Sequence, residues 1–480
     1  MSKLVINWCL KNCFPLFLNK TVKYELNSSY CQRLRMMSTT GQDFTTAENN
    51  SKEDSEIEKL LKDEKYEELV VKNWRTTTQQ KDVLLVMPRQ KWGDKQMDRN
   101  YAKHLMNETI GLINTLPNMK VIDSLMISTL NINSRYLFGS GNFQLLRNRV
   151  KSNPRINGIV FSLDMLNSLQ TGEMEKQLGV DVSSDQLSNV LITFVFNNFL
   201  FNFQVYDRYS IVLNIFRMQS TTKEAKLQIA LAEIPYIRNN LRALQRTGQS
   251  RQSITYRETG GFGQTDIETR KMLLNEREIK LKKLLDKIQS NRDILRLNRQ
   301  RKQFPVIAVV GYTNSGKTSL IKALTDDQRL VPRNQLFATL DVTVHEGRLP
   351  SGIKVLYTDT IGFISHIPTA LIQSFRTTLR EICSSDLIVH VLDVSHPNHQ
   401  LQEQTVNKTL EEIQVPEKLK NSVLEVANKI DLVTNMESLP EDKLFISATR
   451  GSGLNQLLAK IEELIIANTG RLEKVLRYVF

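Results

Sequence analysis

Gly311-Tyr312-Thr313-Asn314-Ser315-Gly316-Lys317-Thr318 follows a compact apolar run at 305–310. The glycines let the backbone wrap closely, so that consecutive N–H groups and the start of a following helix face one anion. All eight residues are therefore expected to bind phosphate, with Lys317 adding a point charge at the terminal groups and Thr318 offering a hydroxyl to a divalent cation. A second apolar run ends at Asp359-Thr360-Ile361-Gly362. There the carboxylate can hold the cation's water shell while the Gly362 N–H meets the last phosphate. Between the two motifs lies 336–343, whose Thr339 is the first choice for the second hydroxyl on the cation and Thr343 the reserve. Lys317, Thr339 and Gly362 are thus the expected catalytic group. Magnesium is the expected cofactor, held by Thr318 and Thr339 directly and by Asp359 through water.

These loops alone do not choose a base. Asn428-Lys429-Ile430-Asp431, after the strand-like 423–427, does. Asp431 can accept from the guanine N1–H and exocyclic amine, a pattern adenine lacks, and an unpaired buried acceptor penalises the wrong base. Ser447-Ala448-Thr449 follows a further apolar run at 444–446 and would close over the guanine. Four short motifs in this order, each at a strand's carboxyl end, imply one site on an open α/β sheet. The expected ligand is Mg·GTP, with GTP as substrate.

The elements that must position these loops are visible in the hydrophobic pattern. At 480 residues and 40% hydrophobic, the chain can bury several cores. Its formal net charge of +13 points to polyanions, nucleic acid or an anionic membrane. Three of the four cysteines, Cys9, Cys13 and Cys31, lie in the first segment, which argues against a disulfide framework. His396 and His399 have no neighbouring cysteine to complete a zinc site and read as loop residues.

Residues 1–43 are basic and apolar with few acids and resemble an organelle transit leader, which places the chain in the mitochondrial matrix, with the cytoplasm as alternative. Lys11 would break the apolar region of a secretory signal. Residues 44–78 read as an acidic, polar linker or exposed helix. Strands at 82–87, 121–128 and 158–162, with helix-compatible sequence between, define an α/β domain over 79–222. Within it the aromatic run 190–203 is too short to span a bilayer, and no transmembrane segment is expected. The stretch 182–203 reads as an insertion or a translated non-coding segment; a buried strand is the alternative.

The region 223–303 is helical. Leu227, Ala230, Leu231, Ile234, Ile237, Leu241 and Leu244 form one stripe, which Pro235 should kink. A loop with Gly248, Gly260, Gly261 and Gly263 precedes a second helix from near Thr265, where Ile267, Leu274, Leu281, Ile288 and Leu295 recur every seven residues. The two should pack as an antiparallel hairpin. Lys271, Arg277, Lys280, Lys282, Lys283, Lys287, Arg292 and further cations up to Lys302 are assigned to its outer faces. This clustering favours an RNA-binding arm over a merely solvated surface, and a membrane-surface helix would need a broader apolar face. A Ras-like P-loop domain over 304–468 and a tail at 469–480 complete the chain.

Further motifs are Phe138-Gly139-Ser140-Gly141, Asp207-Arg208 with 211–216, residues 226–232, Glu268-Thr269 after the glycine loop, Phe337-Ala338-Thr339-Leu340-Asp341, and Phe363 after the switch glycine. Across about 131–467 the chain resembles the HflX-type GTPases of the TRAFAC class, and its leader resembles that of a mitochondrial member. The resemblance implies an N-terminal α/β domain, a long helical hairpin and a Ras-like G domain, docking as a monomer on the large ribosomal subunit and its rRNA. It implies ribosome splitting or recycling and late large-subunit assembly. The alternative is an assembly checkpoint with hydrolysis as a release timer. A role beside a tRNA-modifying enzyme rests on Asn314 alone.

The tip loop, 248–263, would reach rRNA near the peptidyl-transferase centre. Where family members carry Gly-Pro-Gly-Glu, this chain has Gly261-Phe262-Gly263-Gln264. Phe363 stands where Ras-like enzymes have a water-orienting glutamine, so slow intrinsic hydrolysis is expected, with the water placed by backbone, a docked ribosome or a monovalent cation. Asn314 is the candidate potassium ligand.

Overall fold

The computed structural model describes residues 55, 57–63, 66, 80–93, 96–179, 204–247, 262–301, 304–325, 327–332, 335–340, 342–365, 371, 374–433 and 443–469. The leader, most of the linker, the 182–203 stretch, the tip loop up to 261, Asp341 and the tail from 470 lie outside them. The chain divides into two units, Met1–Leu60 and Leu61–Phe480. In the first, residues 57–60 are helical. Every element below belongs to the second.

Its amino-terminal half is a four-stranded parallel sheet, ordered β2-β1-β3-β4. The strands are β1 (Lys81–Gln90), β2 (Met119–Thr129), β3 (Gly158–Phe161) and β4 (Gln204–Asp207). β1 is central and apolar on both faces. Val83 and Leu85 enter one core while Leu84 and Val86 enter another, as a parallel strand covered by helices on both sides requires. A one-residue shift separates Val83 from Leu84 in its pairing with β2. β4, four residues directly after the aromatic run, was not anticipated. It is too short to announce itself by alternation.

The connecting helices are α1 (Arg99–Asn114), α2 (Ser140–Lys151) and α3 (Ser168–Gly179), with α4 (Arg208–Gln219) leaving β4 directly. In α4 every residue from Arg208 to Phe216 is buried. A helix apolar on most sides must be covered on most sides, and Ile211, Val212, Leu213, Ile215 and Phe216 each gain about 2 kcal/mol of transfer free energy there.

The hairpin consists of α5 (Lys223–Thr247) and α6 (Phe262–Arg301). Arg238 pairs with Glu278 and Arg292 with Glu224, so residue numbers fall along one helix as they rise along the other, the signature of antiparallel packing. α5 carries Pro235 inside it, with Leu227, Ala230, Ile234, Ile237 and Leu241 buried on either side of that residue. Two expectations are corrected. α6 begins at Phe262 rather than near Thr265, and Arg277 does not face outward. Spaced three from Leu274 and four from Leu281, it shares their inward face. It is buried, with its guanidinium 3.5 Å above the Tyr66 ring and 3.8 Å from Asp63. Lys280, Lys282, Lys283 and Lys287 are exposed.

The carboxyl-terminal half is a six-stranded sheet ordered β10-β9-β8-β5-β7-β6, parallel except for the edge strand β6. Its strands are β5 (Val306–Gly311), β6 (Thr343–Arg348), β7 (Lys354–Asp359), β8 (Leu387–Asp393), β9 (Leu424–Asn428) and β10 (Leu444–Phe445). Helices α7 (Lys317–Thr325), α8 (Arg376–Cys383), α9 (His399–Glu412), α10 (Glu417–Lys420) and α11 (Leu454–Thr469) complete it. One face is covered by α7 and α11. The opposite face, through Ala308, Val310 and Ile388, is continuous with Val83, Leu112, Phe216 and Leu274 of the amino-terminal half and hairpin. The two halves therefore share one apolar core. Among the described residues no helix is long and apolar enough to cross a membrane.

Candidate nucleotide site

All four loops lie at the carboxyl ends of β5, β7, β9 and β10. The loop after β5 turns at Gly316, whose positive φ of 96° favours glycine and whose missing Cβ leaves room for the Asn428 amide. The Asn428 amide donates from Nδ2 to the Ser315 carbonyl (2.9 Å) and accepts at Oδ1 from the Ala448 N–H (3.0 Å). One side chain thus ties the phosphate loop to the loop after β10.

Lys317 opens α7 and is buried, donating to the carbonyls of Tyr312 (2.8 Å) and Gly311 (3.3 Å). Burial pushes it down to about 8, an effect that nearby Asp359 opposes and that an incoming phosphate would oppose further. Thr313 Oγ1 and Ser315 Oγ are buried without a hydrogen-bond partner among the described residues. Asn314 is exposed, in the left-handed region at φ 61°. The cleft is lined by Thr313, Asn314, Gly316 to Ser319 and Gly362, together with Pro332, Gln335 and Phe337 to Thr339.

Thr318 Oγ1 lies 2.7 Å from Asp359 Oδ2 and 3.0 Å from Thr339 Oγ1, and Thr339 Oγ1 lies 3.1 Å from the same carboxylate oxygen. Asp359 Oδ1 is buried with no partner among the described residues, and burial raises its carboxyl above the ordinary range. Three hard oxygen donors converging beside an orphaned carboxylate oxygen suit a small divalent cation such as magnesium. Thr343, the reserve candidate, is excluded from this group. It is exposed at the start of β6, and its hydroxyl is taken by His345 Nε2 at 2.8 Å.

Gly362 stands against the phosphate loop: a Cβ there would lie 2.8 Å from Thr313 Cα and 3.1 Å from Lys317 Nζ. Phe363 N–H donates to the Gly311 carbonyl (3.1 Å) and Thr313 N–H to the Phe363 carbonyl (2.7 Å), so the two loops are zipped backbone to backbone. The Phe363 ring is buried in the shared core, not in the cleft.

At the base end, Asp431 sits in a single 3-10 turn and Ser447 donates to its Oδ1 at 2.7 Å, holding the carboxyl below its ordinary value. Thr449 Oγ1 is 3.1 Å from Ser447 Oγ. Lys429, left-handed at φ 67°, engages Asp393 at 2.7 Å, so its stem rather than its charge is available to a base. The other oxygen of Asp431, Oδ2, lies 3.9 Å from Arg450 Nε, and the carboxylate keeps lone pairs with which to accept N–H donors from guanine.

Two findings lay beyond the motifs. Tyr312 was expected to bind nucleotide, but its side chain turns away from the cleft into the shared core. There its hydroxyl meets Glu108 and Ser365, because alternate positions of an extended strand end face opposite sides. Its carbonyl faces the site and accepts from Lys317. Phe337, left-handed at φ 56° and buried, packs edge-on against Phe216 of α4 at 4.8 Å, so the first switch loop is also anchored outside the G domain.

Family comparison agrees with this geometry. Residues 306–429 match the family model described as a 50S ribosome-binding GTPase, and residues 219–299 match the GTP-binding GTPase middle region. GTP-binding protein 6 of Xenopus laevis is 42% identical over 389 residues, covering 81% of this chain and 69% of that protein. GTP-binding protein 6 of Homo sapiens is 40% identical over 389 residues, covering 81% and 70%. GTPase HflX of Caldanaerobacter subterraneus is 32% identical over 350 residues, covering 73% and 74%.

Proposed function

The chain belongs to the HflX family of GTPases, and on that premise we propose that it couples a Mg·GTP cycle to docking on the large subunit of the mitochondrial ribosome, acting in ribosome recycling and late large-subunit assembly. Magnesium would be held by Thr318 and Thr339, with Asp359 in its water shell. When bound, it would neutralise charge on the terminal phosphates. Lys317 would bridge those phosphates, the Gly362 N–H would report the last of them, and Asp431 would select guanine. The 248–263 loop would reach rRNA.

The observation that carries the ribosomal reading is the exposed lysine row of α6, Lys280, Lys282, Lys283 and Lys287, on an arm whose apolar seam is continuous with the core beneath the nucleotide loops. An arm rooted in that core can change its pose when the switches change. Co-sedimentation of the purified protein with mitochondrial large subunits tests this. Binding should be at least about tenfold tighter with a non-hydrolysable GTP analogue than with GDP, and binding indifferent to nucleotide would remove the switch from the account.

The burial of Phe363 favours a second reading, an assembly checkpoint with hydrolysis as a slow timer, since no glutamine orients water at that position. Asn314 would then hold a potassium ion that assists the reaction, and equal rates in sodium and potassium would discard that ion. Depletion separates the two roles: accumulation of intact monosomes marks recycling, and accumulation of immature large subunits marks assembly.

A further inference from the structure

Nucleotide chemistry leaves unexplained the Asp207-Arg208 motif and the side chain of Tyr312, and the fold brings them together. Asp207 caps α4, accepting from the Ser210 N–H at 2.8 Å while its other oxygen accepts from the Leu166 N–H at 2.9 Å. That fixes Arg208 at the first position of the helix, aimed at the G domain. Arg208 Nη2 donates to Glu108 Oε1 on α1 (2.7 Å) and to the Ser365 carbonyl (2.7 Å). Tyr312 donates its hydroxyl hydrogen to the same Glu108 Oε1 (2.7 Å) and accepts from the Ser365 N–H (2.9 Å). Its oxygen also lies 2.7 Å from Ser365 Oγ. Burial, and next the Glu108 carboxylate, raise the phenol well above its ordinary value, so it stays protonated. With its one hydrogen committed to Glu108, the Ser365 hydroxyl must be the donor to Tyr312. The donor and acceptor capacity of the phenol is then full.

This cluster lies where the two halves of the molecule meet. Glu108 and Arg208 come from the amino-terminal half; Tyr312 belongs to the phosphate loop and Ser365 follows the switch glycine by three residues. The side chains of Arg208 and Glu108 are 3% and 5% exposed, so solvent cannot replace the contacts. Between Ser365 and Gly362 there is no slack, because Phe363 is hydrogen-bonded to the phosphate loop on both its N–H and its carbonyl.

We propose that Glu108 and Arg208 are positioning residues for GTP hydrolysis. By clamping Tyr312 and Ser365 they hold the Gly362 N–H where the last phosphate is met, without touching the nucleotide. A planar guanidinium shared between a carboxylate and a backbone carbonyl fixes direction as well as distance, which an apolar contact would not. The clamp acts within the chain and does not depend on ribosome docking.

Steady-state GTP hydrolysis and fluorescent N-methylanthraniloyl-GDP binding, measured on the full chain for Glu108→Ala, Glu108→Gln and Tyr312→Phe, test it. Glu108→Ala and Tyr312→Phe should lower kcat about tenfold, as loss of alignment at a reacting centre does. KM and GDP affinity should stay within about threefold of the parent. Glu108→Gln keeps an acceptor oxygen for both donors and should restore most of kcat. Unchanged kcat in Glu108→Ala and Tyr312→Phe, even with a lowered Tm, would reduce the cluster to a structural contact and overturn the proposal. So would a parallel collapse of kcat, KM and GDP affinity, which marks general damage to the cleft. Should Glu108→Ala not fold, Tyr312→Phe decides alone, since it removes one oxygen and keeps the ring.

Discussion

The two ends of the nucleotide site are built differently. The base end is local: Asn428, Lys429, Asp431 and Ser447 are held by hydrogen bonds among themselves, to Asp393 and to the phosphate loop, all inside the G domain. The phosphate end is shared. Tyr312, Ser365 and Phe337 are gripped by Glu108, Arg208 and Phe216, which the chain supplies more than one hundred residues earlier. Guanine is present in both GTP and GDP, so its binding loops need no partner that senses state. The last phosphate is what changes, and the loops proposed to meet it are those anchored in the other half of the molecule. The difference suggests that recognition is a property of the G domain, and that response to hydrolysis is a property of two halves with one core.

Perturbations of unequal size can break or sharpen this contrast. The largest effect is expected from Arg208→Ala, which strands the Glu108 carboxylate in a dry interface and should cost about 3–5 kcal/mol of stability by denaturant titration. A loss below about 1 kcal/mol would mean that the interface opens to water. Asp431→Asn should weaken GTP binding about 100-fold and leave Tm almost unchanged, because only the base contact is lost. A large fall in Tm would show that the base end is less self-contained than the hydrogen bonds indicate.

Acid should strike the sheet common to both ends. His390 on β8 pairs with Val310 in β5 and Glu425 in β9. It is fully buried, and burial, with Lys443 and Lys317 adding to it, pushes it down to about 3. Because the folded value lies below the unfolded value of about 6.5, the unfolded chain takes up the proton first. This contribution to stability is complete above pH 6.5 and is lost as pH falls toward 3. Between pH 6.5 and 5 the loss should be about 2 kcal/mol, and His390→Leu should flatten it; an unaltered acid limb would acquit this residue. The smallest effect belongs to Ser447→Ala, which removes one hydroxyl from Asp431. GTP affinity should fall about fivefold, corresponding to about 1 kcal/mol, with kcat preserved; a fall in kcat instead would tie the base end to hydrolysis.

The same contrast explains what the sequence made legible. Contiguous motifs at strand ends announce themselves, so the convergence of Lys317, Thr318, Asp359, Gly362, Asn428 and Asp431 could be read from spacing, as could the strands β1, β2 and β3 of the amino-terminal half and β5, β7, β9 and β10 of the G domain. Thr339 and Thr343 were separable only by geometry, since one hydroxyl reaches Asp359 and the other bonds His345. Glu108 is a single acid on an ordinary amphipathic helix, and nothing in its neighbours marks it. Arg277 looked like one more surface cation until the hairpin's pairing placed it over Tyr66. The direction of the Tyr312 side chain was not legible for a related reason. A motif states which backbone wraps the phosphate, whereas the direction of a side chain depends on what packs behind it.

Amide hydrogen exchange in GDP and in a non-hydrolysable GTP analogue tests the shared phosphate end most directly. Replacing GDP by the analogue should change protection not only across 311–318 and 359–365 but also in α1 around 104–112 and in the first turn of α4, while 424–433 and 444–449 stay alike in the two nucleotides. A nucleotide response confined to the G domain, with α1 and α4 indifferent, would contradict it.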